Sequence, residues 1–351
     1  MSLAPLPVLM VLPTGIGCSI GGYAGDALPS ARLLAAASGC LITHPNVMNG
    51  AALYWSDPRI HYVEGYGIDR FAAGEWTLRQ VRRQRIGLLL DRGIEPELVQ
   101  RQIQVAEGCR ATLGLEIGPV VTTDRPLEVS LELGSSGASW GRIRHPDALL
   151  RAGERLREAG ATAIAVVARF PEDPESAELA AYRQGNGVDA LAGAEAVISH
   201  LLVRHLQLPC AHAPALSPLP LDASLDPRAA GEELGYTFLA CVFVGLSRAP
   251  DLIDKPAAAA GDLSASQLGA VVVPDGALGG DAVLSCIERG VPVITVVNPS
   301  ALSVTAEAMG LESAVLPAKS YTEAAGLLMA MREGLSAESL VRPLPSLQRL
   351  H

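Results

Sequence analysis

The stretch that most narrows what this chain can fold into is Leu9–Asn49. An apolar run ends at Pro13, a glycine-rich loop follows, then an Ala/Leu-rich segment, then the short run CLIT closing on His44. That order predicts strand, loop, helix and strand, with polar groups where each strand stops. Gly15, Gly17, Gly21, Gly22 and Gly25 let backbone approach a ligand, and a following helix N-terminus receives an anion. Thr14, Gly15, Gly17 and Asn46 are therefore ligand-binding candidates.

The pattern recurs. Near the end, VVPDG is followed by Gly279, Gly280, a helical stretch, VPVITVV and Asn298. In the middle, VARFPED leads through GVDALAG and a helix to LPCA and His212. Repeated strand–turn–helix–strand units predict an α/β fold, with largely parallel sheet and helices on both faces. Parallel strands bring their C-terminal ends to one edge, where ligands bind. His44, His212, Asp275 and Asn298 are thus expected around one pocket, with Ser135–Arg144 on its rim. One division consistent with this is two lobes, 1–128 and 129–335, followed by a tail, 336–351.

His44 and His212 are the proton-transfer candidates, with Asp275 or Asp91 orienting or assisting them. Ser135, Ser136, Ser139, Arg142 and Arg144 gather hydroxyls, glycine amides and two guanidiniums just before a helix at Pro146, a pattern suited to an anion. Gly279, Gly280 and Asn298 join them as ligand-binding candidates. Cys210 and His212, two apart on an extended segment, face the same way, which permits a thiol–imidazole pair. His200 and His205 lie about 140° apart around a helix and cannot chelate together, so no metal site is expected. The glycine spacing departs from the dinucleotide fingerprint and no GxxxxGK[ST] occurs, so no cofactor is assigned.

Charge removes other classes. The net charge of -10, with lysine only at Lys255 and Lys319, argues against nucleic acid as a partner. No apolar run reaches the roughly 18 residues a membrane span needs. GIGC at 15–18 faintly resembles a lipoprotein cleavage site, but lacks a basic region before it and the large aliphatic that such sites want. Six scattered cysteines read as buried thiols. A soluble cytoplasmic protein is expected, and a homo-oligomer is compatible with it.

LPTGIGCSIGGYAGDA, HPNVMNGA, LLLDRGIEPEL, GSSGASWGRI, PCAHAP and GGDAVLSCIERGVPVI together resemble an uncharacterised family of cyanobacteria and plastid-bearing eukaryotes. The likeness covers essentially the whole chain and carries no catalytic role across. It implies a cytosolic protein, stromal in plastid relatives. The function expected from the residues is an enzyme acting on a small anionic metabolite, carboxylated or phosphorylated, by acid–base chemistry. The alternatives are a non-catalytic metabolite-binding sensor and a nucleotide-sugar transferase.

Overall fold

The structure is a computed structural model that describes residues 4–50, 56–233, 238–340, 342–344 and 346–347. Residues 51–55 lie outside the described residues, as do the tail's last four.

In chain order, β1 (Leu6–Met10), α1 (Leu28–Ser38), β2 (Gly39–Thr43), α2 (Pro45–Met48) and β3 (Ile60–Tyr62) open the fold. Then come α3 (Gly65–Ala72), β4 (Trp76–Arg79), β5 (Ile86–Leu90), α4 (Pro96–Leu113) and β6 (Ile117–Thr122). A hairpin, β7 (Val129–Leu133) and β8 (Ser139–Ile143), precedes α5 (Pro146–Glu158), β9 (Ala163–Arg169), α6 (Ala177–Arg183), α7 (Ala192–Leu206) and β10 (Cys210–Ala215). The remainder is α8 (Pro227–Glu233), α9 (Leu239–Leu246), β11 (Asp251–Asp254), β12 (Ala270–Pro274), α10 (Asp281–Glu288), β13 (Val293–Val296), α11 (Ala306–Met309), β14 (Val315–Ala318) and α12 (Tyr321–Arg332).

The expected α/β architecture is present, in two parallel sheets. The larger has six strands in the order β14-β13-β12-β1-β2-β3. Every pairing in it is parallel, with Val8 opposite Leu41 on one side and Ala270 on the other. Counted along this sheet's own strands the order is 3-2-1-4-5-6, so the winding reverses between β1 and β12. Such a reversal opens a crevice beyond the strand C-termini. The second sheet, β10-β9-β5-β6, is also parallel and reverses between β5 and β9.

The first and last sequence units therefore share one sheet, while the middle unit belongs to the other. The boundary expected near residue 128 falls within the span of the second sheet, since β5 and β6 pair with strands that follow it. This sheet is inserted between β3 and β12 of the first. The strands read as near-continuous apolar runs because both of their faces are covered. Val8 and Met10 pack toward α1 and α12, whereas Leu9 packs toward α3 and α10. Each of the two core clusters runs through both sheets: Val8 joins Leu88 in one, and Leu9 joins Leu89 in the other. Among the described residues no helix is long and apolar enough to cross a membrane.

Candidate functional site

The C-terminal edges of both sheets open onto one cavity of about 1020 Å³, the upper end of the size range of small-molecule sites. Pro13 and Thr14 enter it from β1, His44 and Asn46 from the end of β2, and Gly280 and Asp281 from the turn after β12. The second sheet contributes Glu172 and Asp173 beyond β9 and His212 on β10. α3 adds Glu64 and Asp69, α7 adds Glu195, Ser199 and His200, and the hairpin adds Glu132.

Three histidines meet here in different states. The backbone N–H of Leu12 donates to His44 Nε2 at 2.9 Å, so that nitrogen is an acceptor and the proton sits on Nδ1. Burial, together with the nearby His200, pushes the His44 pKa down to about 4. His44 is thereby a neutral donor with its basic nitrogen occupied.

His212 is the free base. Ser199 Oγ donates to Glu64 Oε1 at 3.3 Å, which leaves the Ser199 oxygen to accept from His212 Nδ1 at 3.1 Å. Nε2 of His212 is then a bare lone pair, 3.6 Å from Glu195 Oε2. Burial and His200 lower this imidazole's pKa to about 4 as well. Glu64 caps the N-terminus of α3 by accepting from Tyr66 N at 2.8 Å, and its Oε1 lies 2.5 Å from His200 Nδ1. That contact pairs the ring with the Glu64 carboxylate. Burial opposes a charge on His200, but Glu64 and Asp69 outweigh it and its pKa is raised.

The carboxyls are shifted the other way. Burial raises Glu195 well above its ordinary value, and the like charges of Asp189 and Glu232 add to it. Asp189, which accepts from Leu191 N at 2.9 Å, is raised by burial too. Glu232 accepts from Ala24 N and, at 2.8 Å, from the Tyr182 hydroxyl, yet burial carries it to about 8. Asp69 rises to about 6 through burial, against the opposing pull of His200. Eleven lining residues are Asp or Glu and none of the described lining residues is Lys or Arg.

The chain belongs to the family described as "Protein of unknown function (DUF3326)", which matches residues 7–341. An uncharacterised lipoprotein of Synechococcus sp. is 54% identical to it over 336 residues, which is 95% of this chain and 93% of that relative.

Of the residues expected in the site of this family member, His44, His212, Thr14, Asn46 and Gly280 line the cavity, and Asp275, Asn298, Gly279 and Asp91 do not. Asn298 instead clamps the glycine-rich loop: its Oδ1 accepts from Ile20 N, and its Nδ2 donates to Ile20 O and the Tyr321 hydroxyl, all within 2.9–3.0 Å. Asp26 takes the Gly21 amide at 2.6 Å, so the protein's own side chains fill the loop that looked like an anion cradle. Gly15 and Gly17 serve packing: a Cβ there would lie 2.4 Å from Ser139 Oγ and 2.8 Å from Gly187 O.

Asp91 is buried and accepts from the backbone amides of Gly93, Leu127 and Arg169, which makes it a staple at the end of β5. The expected anion cluster is dispersed. Ser135 and Ser136 sit at the exposed hairpin tip, while Arg142 and Arg144 are exposed and paired with Glu132 and Glu128. Ser139 accepts from Gly193 N at the start of α7. Burial raises the Cys210 thiol well above its ordinary value, so no thiolate stands beside His212.

The sequence reading missed Glu64, Asp69, Asp189, Glu195, Ser199 and Glu232. One signal was available: Glu195 and Ser199 are four apart on a helix, hence on one face.

Proposed function

We propose that the protein is an enzyme that processes a small metabolite in this cavity by acid–base chemistry, with His212 as base and Glu195 as its partner acid. The observation that carries this is the approach of His212 Nε2 to Glu195 Oε2 at 3.6 Å, with the opposite nitrogen held by Ser199. In water a glutamate is ionised at a pH where a histidine is still protonated; here burial pushes the carboxyl up and the imidazole down. Burial thus favours the uncharged form of both groups, a carboxyl that keeps its proton facing an imidazole that has none. Groups whose environments push their pKa values apart divide into acid and base roles. His212 accepts a proton from the substrate, Glu195 returns one, and the Ser199–Glu64 chain holds the ring's tautomer.

A diphosphate needs several cations; among the described lining residues there is no Lys or Arg, and His200 is already paired with Glu64, which favours this reading over a nucleotide-sugar transferase. Two observations support reading the protein as cytoplasmic. All six cysteines are free and buried, and cleavage ahead of Cys18 would remove β1, which pairs on both sides in the six-stranded sheet.

The test is to incubate the purified protein, and His212→Asn beside it, with a small-molecule extract of cells and follow both by mass spectrometry. Compounds consumed by the wild-type chain and spared by the variant support the reading. No difference between the two mixtures sinks it.

A further inference from the structure

We infer that the compound this cavity accepts is an organic cation: a small amine, protonated at neutral pH, with an oxygen acceptor near its ammonium group. This names the substrate class of the acid–base site and so rests on that reading. Two independent observations carry it. The first is the electrostatic composition of the walls. A bound carboxylate or phosphate would face eleven acidic residues and no Lys or Arg among those described. The residues outside the described set contribute a single arginine, Arg349. Arginines close to the cavity are already engaged: Arg169 with Glu95 and Glu172, Arg183 with Glu233, and Arg228 with Asp226. His200, whose pKa is raised, is already paired with Glu64, so an anion would lose its hydration without gaining a free counter-charge.

The second is the unmatched donor of His44. This side chain is 9% exposed, lines the cavity and spends Nε2 on Leu12, so Nδ1–H has no acceptor among the described residues. This donor is reachable from the cavity, and an oxygen on the ligand satisfies it there. The deeper carboxyls, Asp69, Asp189, Glu195 and Glu232, then receive the ammonium. A bare metal ion fits less well, since no three His, Cys, Asp or Glu side chains among the described residues come together as ligands, and Ile68, Leu179, Leu191 and Phe238 add apolar wall. Because burial favours protons on the empty Asp189 and Glu232, an arriving ammonium displaces one there and binding releases it, while Glu195 keeps the proton it returns to the substrate.

Isothermal titration of the full chain with ethanolamine, putrescine and spermidine tests this, with acetate, phosphate and glycerol as comparators. It is run at about 150 mM salt, where attraction to exposed surface charge is screened. Expected is saturable binding of an amine, with a heat that varies with the buffer's ionisation enthalpy in the sense of proton release. Glu195→Gln should weaken it by about tenfold to a hundredfold, the worth of one hydrogen bond to a charged group. Glu288→Gln, on an exposed stretch of α10, should leave it unchanged. Asp189→Asn, read alongside, serves if the first variant does not fold. Binding of acetate, phosphate or glycerol in preference to the amines overturns the inference, as does amine binding equal in both cavity variants, or none by any amine. Amine binding without metabolite turnover would leave this standing and remove the enzyme reading; turnover of a carboxylate would do the reverse.

Discussion

Replacing Glu232 by Gln should remove one source of an unusual pH dependence of stability. The carboxyl accepts from Ala24 N and the Tyr182 hydroxyl, and burial lifts it from an ordinary 4.5 to about 8. Between those values the folded chain keeps a proton that the unfolded chain has lost. Its contribution is complete below about pH 4.5 and disappears as pH rises through about 8. The whole shift corresponds to at most about 5 kcal/mol, and cavity water reaching this partly exposed side chain reduces it. Between about pH 6.5 and about pH 8 the loss from this one group is about 1.5 kcal/mol. Glutamine mimics the protonated acid, accepting from Ala24 N and offering its amide to Tyr182, and does not titrate. Urea unfolding at the two pH values should show wild type losing about 1.5 kcal/mol more than Glu232→Gln. Parallel pH profiles, or a wild type that gains stability toward pH 8, would refute the reasoning.

Histidine-labelled protein examined by long-range 1H–15N correlation should show His44 as the neutral Nδ1–H tautomer, titrating near pH 4; an imidazolium at pH 6 contradicts the Leu12 contact. Asn298→Ala strands Ile20 N–H, Ile20 C=O and the Tyr321 hydroxyl. It should cost about 2–4 kcal/mol in urea unfolding, and a wild-type midpoint would remove the clamp argued for the glycine-rich loop. Cys18 is 2% exposed, so the intact mass of the protein isolated from its own cells should include β1 and no acyl group on Cys18. A chain beginning at an acylated Cys18 would overturn the cytoplasmic reading.

The first strand–loop–helix–strand unit and its late counterpart were legible because each strand is a continuous apolar run closed by Gly, Pro or Asn. The strands at the sheet edges, β3 and β14, have three and four residues. Runs that short carry no periodicity, and the same holds for the antiparallel pair β4 and β11. The lobe boundary at residue 128 was drawn without knowledge of the sheet pairing. Sheet pairing is non-local, and nothing along the chain announces that β12 returns to β1 after the second sheet is complete. His44 and His212 were visible because the rule of parallel strand ends places them without knowledge of the loops. Asp275 and Asn298 obey the same rule, but the glycine-rich loop folds over Asn298 and consumes it. Glu64 and Glu232 were invisible, because in sequence a carboxylate on a helix or its cap reads as a solvated face.

The site's geometry depends on how closely α7 lies against the hairpin, and that closeness is set by glycine. A Cβ on Gly193 would sit 2.3 Å from both Ser139 O and Trp140 Cα, which are backbone atoms with no rotamer to yield. From the other side, a Cβ on Gly141 would meet Ala194 Cβ at 2.4 Å. Restoring ordinary contact for Gly193→Ala requires the helix to retreat by about 1 Å, the size of misplacement that strongly impairs catalysis. The retreat would carry Glu195, Ser199 and His200 with it, and the 3.1 Å bond from His212 Nδ1 to Ser199 would open beyond hydrogen-bond range. Overpacking of this kind costs about 1–3 kcal/mol of stability. Gly108 in α4 is the matched control: its Cβ would touch nothing within 4 Å, so Gly108→Ala should stabilise the chain by about 0.5–1 kcal/mol. Urea unfolding reads both stabilities, and the histidine spectrum reads whether His212 keeps its Nδ1–H tautomer. If Gly193→Ala behaves like Gly108→Ala in both measurements, close docking of α7 on the hairpin is not what holds His212, Ser199 and Glu195 in register.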